Sequence, residues 1–162
     1  MPKVIKKKAH STEHTLKLLD RIGWKILGEL QRDGRLPFAE LGRRVGLSTP
    51  ATMERVHRLQ EAGIITGFRA EVDHKKVGYP IVAFVRVNVV GNFLPHVIKV
   101  SREMPEVLEC YRVTGADSFI IRVAVRSVDD LQSVIDRFTP FVATTTSVVL
   151  SAIVTSRIIE PE

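Results

Sequence analysis

Ser48, Thr49, Thr52, Arg55 and Arg58 are two adjacent hydroxyl residues followed by a threonine and two arginines at three-residue intervals, a spacing that stacks side chains on one helical face. Hydroxyls and guanidinium forks reach base edges in the DNA major groove, and the same arginines neutralise phosphates. The surrounding stretch, residues 35–63, reads RLPFAELGRRVGLSTPATMERVHRLQEAG. Phe38, Leu41 and Val45 form the apolar face of a first short helix. Gly46 suits the left-handed conformation that ends it, and Leu47 plugs the turn. Ser48 or Thr49 caps a second helix, with Pro50 tolerated in its first turn. Met53, Val56 and Leu59 are predicted to point inward, leaving Thr49, Thr52, Arg55 and Arg58 outward. The pattern predicts a helix-turn-helix, with Ser48, Thr49, Thr52 and Arg55 nearest the base edges and Arg58 on phosphate.

An ordinary helical hairpin with solvated arginines would show the same spacing, and charge placement decides between the two. Up to Pro80 the chain has 16 Lys+Arg against 9 Asp+Glu; beyond it the numbers are 8 and 9, within a net charge of +6. A neutral half joined to a basic half is the electrostatic footprint of a regulator with one nucleic-acid domain. The expected partner is double-stranded DNA.

Catalytic chemistry finds little to work with. The histidines are His10, His14, His57, His74 and His96, and none has a partner at metal-ligand spacing. There is no glycine-rich phosphate loop, and Cys110 and the serines lack an evident base. Asp129 and Asp130 open a helix and serve its dipole. Cys110 sits in an apolar run, which predicts a small buried hydrophobe on a strand. Phe84 and Phe119 alone do not make the aromatic platform of an RNA-recognition sheet. The chain is therefore read as no enzyme, with no cofactor and no metal. No segment approaches the ~20 apolar residues of a membrane span, and no hydrophobic stretch follows the basic start as in a secretory signal. A reducing cytoplasm is the expected setting.

Four regions position these residues. Residues 1–15 form a basic tail around Lys6, Lys7 and Lys8. Residues 16–66 form the helix-turn-helix domain, with helices over 16–33, 37–45 and 49–62. The first carries Leu16, Leu19, Ile22, Ile26 and Leu30 on one stripe, with Trp24 off it and packed on another helix or a partner. Residues 67–80 connect, within a strand-like run IITGFRAEVD that begins at Ile64 and makes the unit winged-helix-like. Residues 81–162 read as strand, helix, strand, strand, helix, strand. The strands are expected at 81–90, 107–114, 119–126 and 147–155, with Asn92 and Ser127 as helix caps. The order is that of a ferredoxin-like βαββαβ module, a four-stranded antiparallel sheet with two helices on one face, so the fold class is α+β. The other sheet face keeps Phe84 and several aliphatics, which a second copy would cover.

LDRIGWKILGELQRDGR, AELGRRVGLS, ERVHRLQEAGIITGFRAEVD, CYRVTG and TTTSVVL, in that order, resemble the leucine-responsive/asparagine-regulator (Lrp/AsnC) family of transcription factors. The resemblance runs from about Leu19 to near the C-terminus. Pro37 stands where the family has a serine-type cap. The hairpin loop carries its acid at Asp117, one place early, and the segment Pro140–Ala143 is short. Membership implies dimers that build into octamers, and small effectors, usually amino acids. It also places the effector on two segments. In the loop Gly115, Ala116, Asp117 and Ser118, backbone amides would meet a carboxylate and the Asp117 carboxylate an ammonium. Thr144, Thr146 and Ser147, from a neighbouring subunit, would add hydroxyls. Residue by residue the plainer alternative also holds, a hairpin turn and a threonine-rich strand. Val113 and Phe119, with no basic residue in the loop, favour a neutral effector such as leucine or methionine. A nucleoid-style architectural protein, wrapping DNA with little effector control, remains the alternative function.

Overall fold

The computed structural model describes residues 17–139 and 142–161; the basic tail, Leu16, Pro140 and Phe141 lie outside them. The chain divides into two compact units. One comprises the described residues up to Ala70 with those from Val154 onward, and the other is Glu71–Ile153. The boundaries expected at 66, 80 and the C-terminus therefore shift, and the last residues belong with the helical unit.

The helical unit is built on α1 (Arg21–Arg32), α2 (Phe38–Val45) and α3 (Thr49–Glu61). The helix expected over 16–33 is broken, because helical turn ends at Leu18 and α1 begins after Asp20. Asp20 caps the new helix, its carboxylate accepting from the Gly23 amide at 2.7 Å. Gly23 is required at this break, since a Cβ there would lie 1.9 Å from the Leu18 carbonyl oxygen. Asp33 ends α1 as its Asp-Gly pair predicts, donating its amide to the Glu29 carbonyl at 2.9 Å. Leu18, Ile26, Leu27, Leu41, Val45, Val56 and Leu59 form the core, with Trp24 half-buried against it. Phe38, expected inside, is 38% exposed at the start of α2.

Two departures follow from hydrogen bonding. Ile64–Asp73 forms no ladder, because among the described residues no strand lies beside this run. The C-terminal residues dock on α1 instead of closing the sheet. The Gln31 side-chain amide donates to the Ile159 carbonyl at 3.0 Å and accepts from the Ile159 amide at 2.8 Å, while Arg32 pairs with Glu160 at 3.0 Å.

The second unit runs β1 (Ile81–Asn88), α4 (Leu94–Glu103), β2 (Val107–Arg112), β3 (Phe119–Val125), α5 (Val128–Asp136) and β4 (Ala143–Val148). Its antiparallel sheet has the order β2-β3-β1-β4, the predicted ferredoxin-like arrangement. Alternate residues of β1 and β3, among them Val85, Val87, Ile121 and Val123, pack with Val97, Val100, Leu131, Val134 and Phe138 of the helical layer. Ser127 caps α5, accepting from the Asp130 amide at 3.0 Å. Asn92 does not cap α4, which begins after Phe93 without a side-chain cap bond.

β4 lies earlier than the expected 147–155. Its rungs run from Ala143 opposite Asn88 to Val148 opposite Ala83, followed by a bond from the Val149 amide to the Val82 carbonyl at 2.8 Å. β1 starts at Ile81, so the ladder then has nothing left to pair with. Cys110 is exposed rather than buried, because β2 is an edge strand.

Candidate nucleic-acid interface and effector loop

α2 ends at Gly46, left-handed at φ 77°, and the Leu47 amide folds back to the Gly42 carbonyl at 2.9 Å. Ser48 caps α3, its hydroxyl accepting from the Ala51 amide at a long 3.4 Å. The two helices cross at Gly42. A Cβ there would fall 2.7 Å from the Leu47 carbonyl oxygen and 2.9 Å from the Thr52 hydroxyl.

That crossing corrects the predicted helix phase. Thr52, expected to face DNA, is fully buried, and its hydroxyl donates to the Ser48 carbonyl at 2.9 Å. Met53, expected inside, is 51% exposed. Arg55 also turns from the outward face, pairing with Asp20 and so bracing α3 against the start of α1. The Asp20 carboxyl lies below the ordinary carboxylate range, first through the Gly23 amide and then through Arg55. Thr49, Pro50, Met53, Glu54, His57 and Arg58 form the exposed face instead.

Of these, Met53 is the one the sequence placed inside, whereas His57 lies on the surface as expected of it. Thr52-Val56-Leu59 and Met53-Val56-Leu59 both fit a helical stripe, and hydrophobicity favoured the wrong one. Gly42 carried the deciding information, since close helix contact leaves room for a small partner only. Arg58 remains outward, its Nε 2.7 Å from the Glu54 carboxylate, and His57 Nε2 lies 3.2 Å from the Glu61 carboxylate.

α2 adds a charged cluster that sequence spacing passed over. Glu40 accepts from Arg43 and Arg44 at 2.7 Å each, and Arg44 reaches Glu29 at 2.7 Å. These hydrogen bonds hold the Glu40 carboxyl down to about 2.

In the sheet unit, Gly115 takes φ 112° in the hairpin loop, and the Val113 amide closes the hairpin on the Ser118 carbonyl at 3.1 Å. Ser118 is engaged structurally. Its amide donates to the Val87 carbonyl at 2.8 Å and its hydroxyl accepts from the Val89 amide at 3.1 Å. Val87 also faces Thr144 across the β1–β4 ladder. The loop and the start of β4 thus share one end of the sheet. Thr144 and Thr146 are half-buried on the helix-covered face, whereas Ser147 is exposed on the other, opposite Phe84. Strand alternation separates Ser147 from the two threonines, so the expected trio does not converge within one subunit. Ala116 is exposed and Asp117 half-buried in the loop.

An AsnC-type helix-turn-helix model matches residues 19–60, and a model of the Lrp/AsnC ligand binding domain matches residues 82–159. The HTH-type transcriptional regulator LrpC of Bacillus subtilis is 34% identical over 135 residues, covering 83% of this chain and 94% of the relative. A solved structure of B. subtilis LrpC aligns with a TM-score of 0.80 over 85% of this chain and 98% of that one. The leucine-responsive regulatory protein of Rhizobium meliloti is 36% identical, over 70% of this chain and 75% of its own. A feast or famine regulatory protein from M. tuberculosis, solved with L-methionine, aligns with a TM-score of 0.80 at 30% identity, over 88% of this chain and 99% of that one. These relatives are regulators rather than enzymes.

Proposed function

Because the chain belongs to the Lrp/AsnC family of transcriptional regulators, we propose that it binds specific double-stranded DNA through α3 and adjusts that binding to a small neutral amino acid. The observation that carries this reading is the coexistence, in one chain, of an outward recognition helix with a ligand-domain fold whose hairpin loop and β4 start share one sheet end. Thr49 and Arg58 keep the DNA role, while Ser48 caps α3. Thr52 and Arg55 take the supporting one of holding α3 in place.

The effector's carboxylate would meet amides of Gly115 and Ala116, and its ammonium the Asp117 carboxylate. Thr144 and Thr146 would supply hydroxyls. Methionine in the mycobacterial relative supports a neutral side chain of this size. The protein works in the cytoplasm, where the DNA is, and needs no cofactor.

The helix-free sheet face keeps Phe84 and Tyr111 exposed, at 39% and 54%. A second copy covering it would make a two-fold dimer holding two α3 helices about 34–36 Å apart, on a pseudo-palindromic site. Octamers of four such dimers follow the family pattern.

The test is calorimetry and gel shift with the full chain against the twenty amino acids, with and without a duplex selected from random sequence. Enhanced or weakened DNA binding with one neutral amino acid, lost in Asp117→Ala while basal affinity stays, is the expected result. Equal affinity for selected and random DNA, with no amino acid bound, would establish the architectural reading instead. A monomer by sedimentation at micromolar concentration would remove the dimer.

A further inference from the structure

We propose that α3 reads its first base steps through thymine methyl groups, with Met53 as the specificity-determining side chain and Pro50 beside it. This rests on the reading of α3 as the DNA-recognition helix. Four observations carry it. In the N-terminal half of the helix, where such helices meet base edges, the outward residues are Thr49, Pro50, Met53 and Glu54. Arg55 is held by Asp20 and Thr52 is inside the core, so neither brings a hydrogen-bond donor to that half. The Ser48 hydroxyl is engaged as the helix cap. The first outward cation is therefore Arg58, already bound to Glu54.

Between Thr49 at the helix start and Glu54, what remains at the base edges is apolar. Met53 is 51% exposed and Phe38 of α2 is 38% exposed, and both line one groove with Pro50, His57 and Gln60. A thioether donates no hydrogen bond and Pro50 has no amide hydrogen. The apolar group that a major groove offers them is the C5-methyl of thymine. Glu54, close to Met53, keeps phosphate away from the same spot and leaves it to base edges. Discrimination by hydrogen bonding then belongs to Thr49 in the first turn and to His57 farther along, with Arg58 on phosphate. The helix is divided into a methyl-reading half and a polar half.

The experiment uses the full chain and a duplex enriched from a random library by the wild-type protein. Each thymine is replaced in turn by uracil, which removes only the methyl, and each cytosine by 5-methylcytosine, which adds one. The wild type is expected to lose about fourfold in affinity, the worth of one buried methyl, at one or two thymines per recognition helix. Met53→Ala should bind the thymine duplex more weakly yet no longer distinguish it from the uracil duplex. Its thermal unfolding should match wild type, since Met53 is exposed.

Enrichment of no sequence would sink the DNA-recognition reading itself. An enriched duplex bound equally with thymine or uracil throughout would overturn methyl reading alone. A thymine preference that persists undiminished in Met53→Ala would overturn the assignment to Met53. So would a Met53→Ala change in sedimentation with unchanged DNA binding, because the patch would then be a surface for a second copy.

Discussion

Along β1, Ala83, Val85 and Val87 are buried while Phe84, Arg86 and Asn88 are exposed. Along α3, Thr52, Val56 and Leu59 are buried and Met53 is exposed. Both patterns are regular, yet only the first can be read unambiguously from residue types. A strand has two phases half a turn apart, so a slip exchanges every side chain and hydrophobicity exposes the error. A helical stripe moved by one residue at one end keeps its other members. Val56 and Leu59 served both versions of α3, and the choice between Met53 and Thr52 fell to a glycine on another helix. Short-range polar bonds hold the helical unit in register where the sheet unit relies on alternation.

Ile121→Ala tests the sheet side of this contrast and has the largest expected effect. The side chain is fully buried between β-strands and the helical layer, so the cost should be about 2–5 kcal/mol in chemical denaturation. Trp24, the single tryptophan, lies in the other unit. Its fluorescence transition should move less than the circular-dichroism transition; equal shifts would mean that the two units unfold as one.

Gly42→Ala tests the helical side. The added methyl meets backbone at Leu47 and the hydroxyl of Thr52, and overpacking of this kind costs about 1–3 kcal/mol. The Trp24 transition should fall and DNA affinity with it. An unchanged midpoint would show that the crossing has slack, and that Thr52 is not what fixes the helix phase. Ser48→Ala should cost less, about 0.5–1 kcal/mol, the low end for an N-cap, since its bond to Ala51 is 3.4 Å long. The same midpoint measurement decides it.

The smallest effect is electrostatic. Glu40 titrates at about 2 in the folded chain against an ordinary 4.5. Its folded value is depressed, so its contribution to stability is complete above about 4.5 and disappears as the pH falls towards about 2. Carboxyl NMR shifts should show this low titration in wild type and a higher one in Arg44→Gln. A Glu40 curve unaffected by that change would assign the shift to Arg43 alone.

Most of the fold was legible because it is written in local chemistry. Alternation in β1 and β3, Ser127 ahead of α5, and Gly46 and Asp33-Gly34 at helix ends each announce an element. The misreadings share a different cause. The break at Asp20 depends on the Gly23 approach to Leu18, the early β4 on where β1 runs out of partners, and the exposure of Cys110 on strand order. Each is a contact between residues distant along the chain or a property of topology. The surface expected to face DNA suffered most, because Arg55 carries its charge for Asp20 and a residue type does not declare its partner. The hairpin loop was legible from its turn chemistry and its expected effector role from the family resemblance, but the register that sends Ser147 to the opposite face belongs to the ladder.

The clasp of Gln31 on Ile159 joins residues 128 positions apart. It draws everything between them, the whole sheet unit included, into one large noncovalent ring. The entropic cost of closing such a ring grows only with the logarithm of its length, so a carboxamide and one ion pair are a proportionate fastening. A single proteolytic nick between residues 66 and 80 would leave the sheet fragment still carrying the strand of chain that α1 holds.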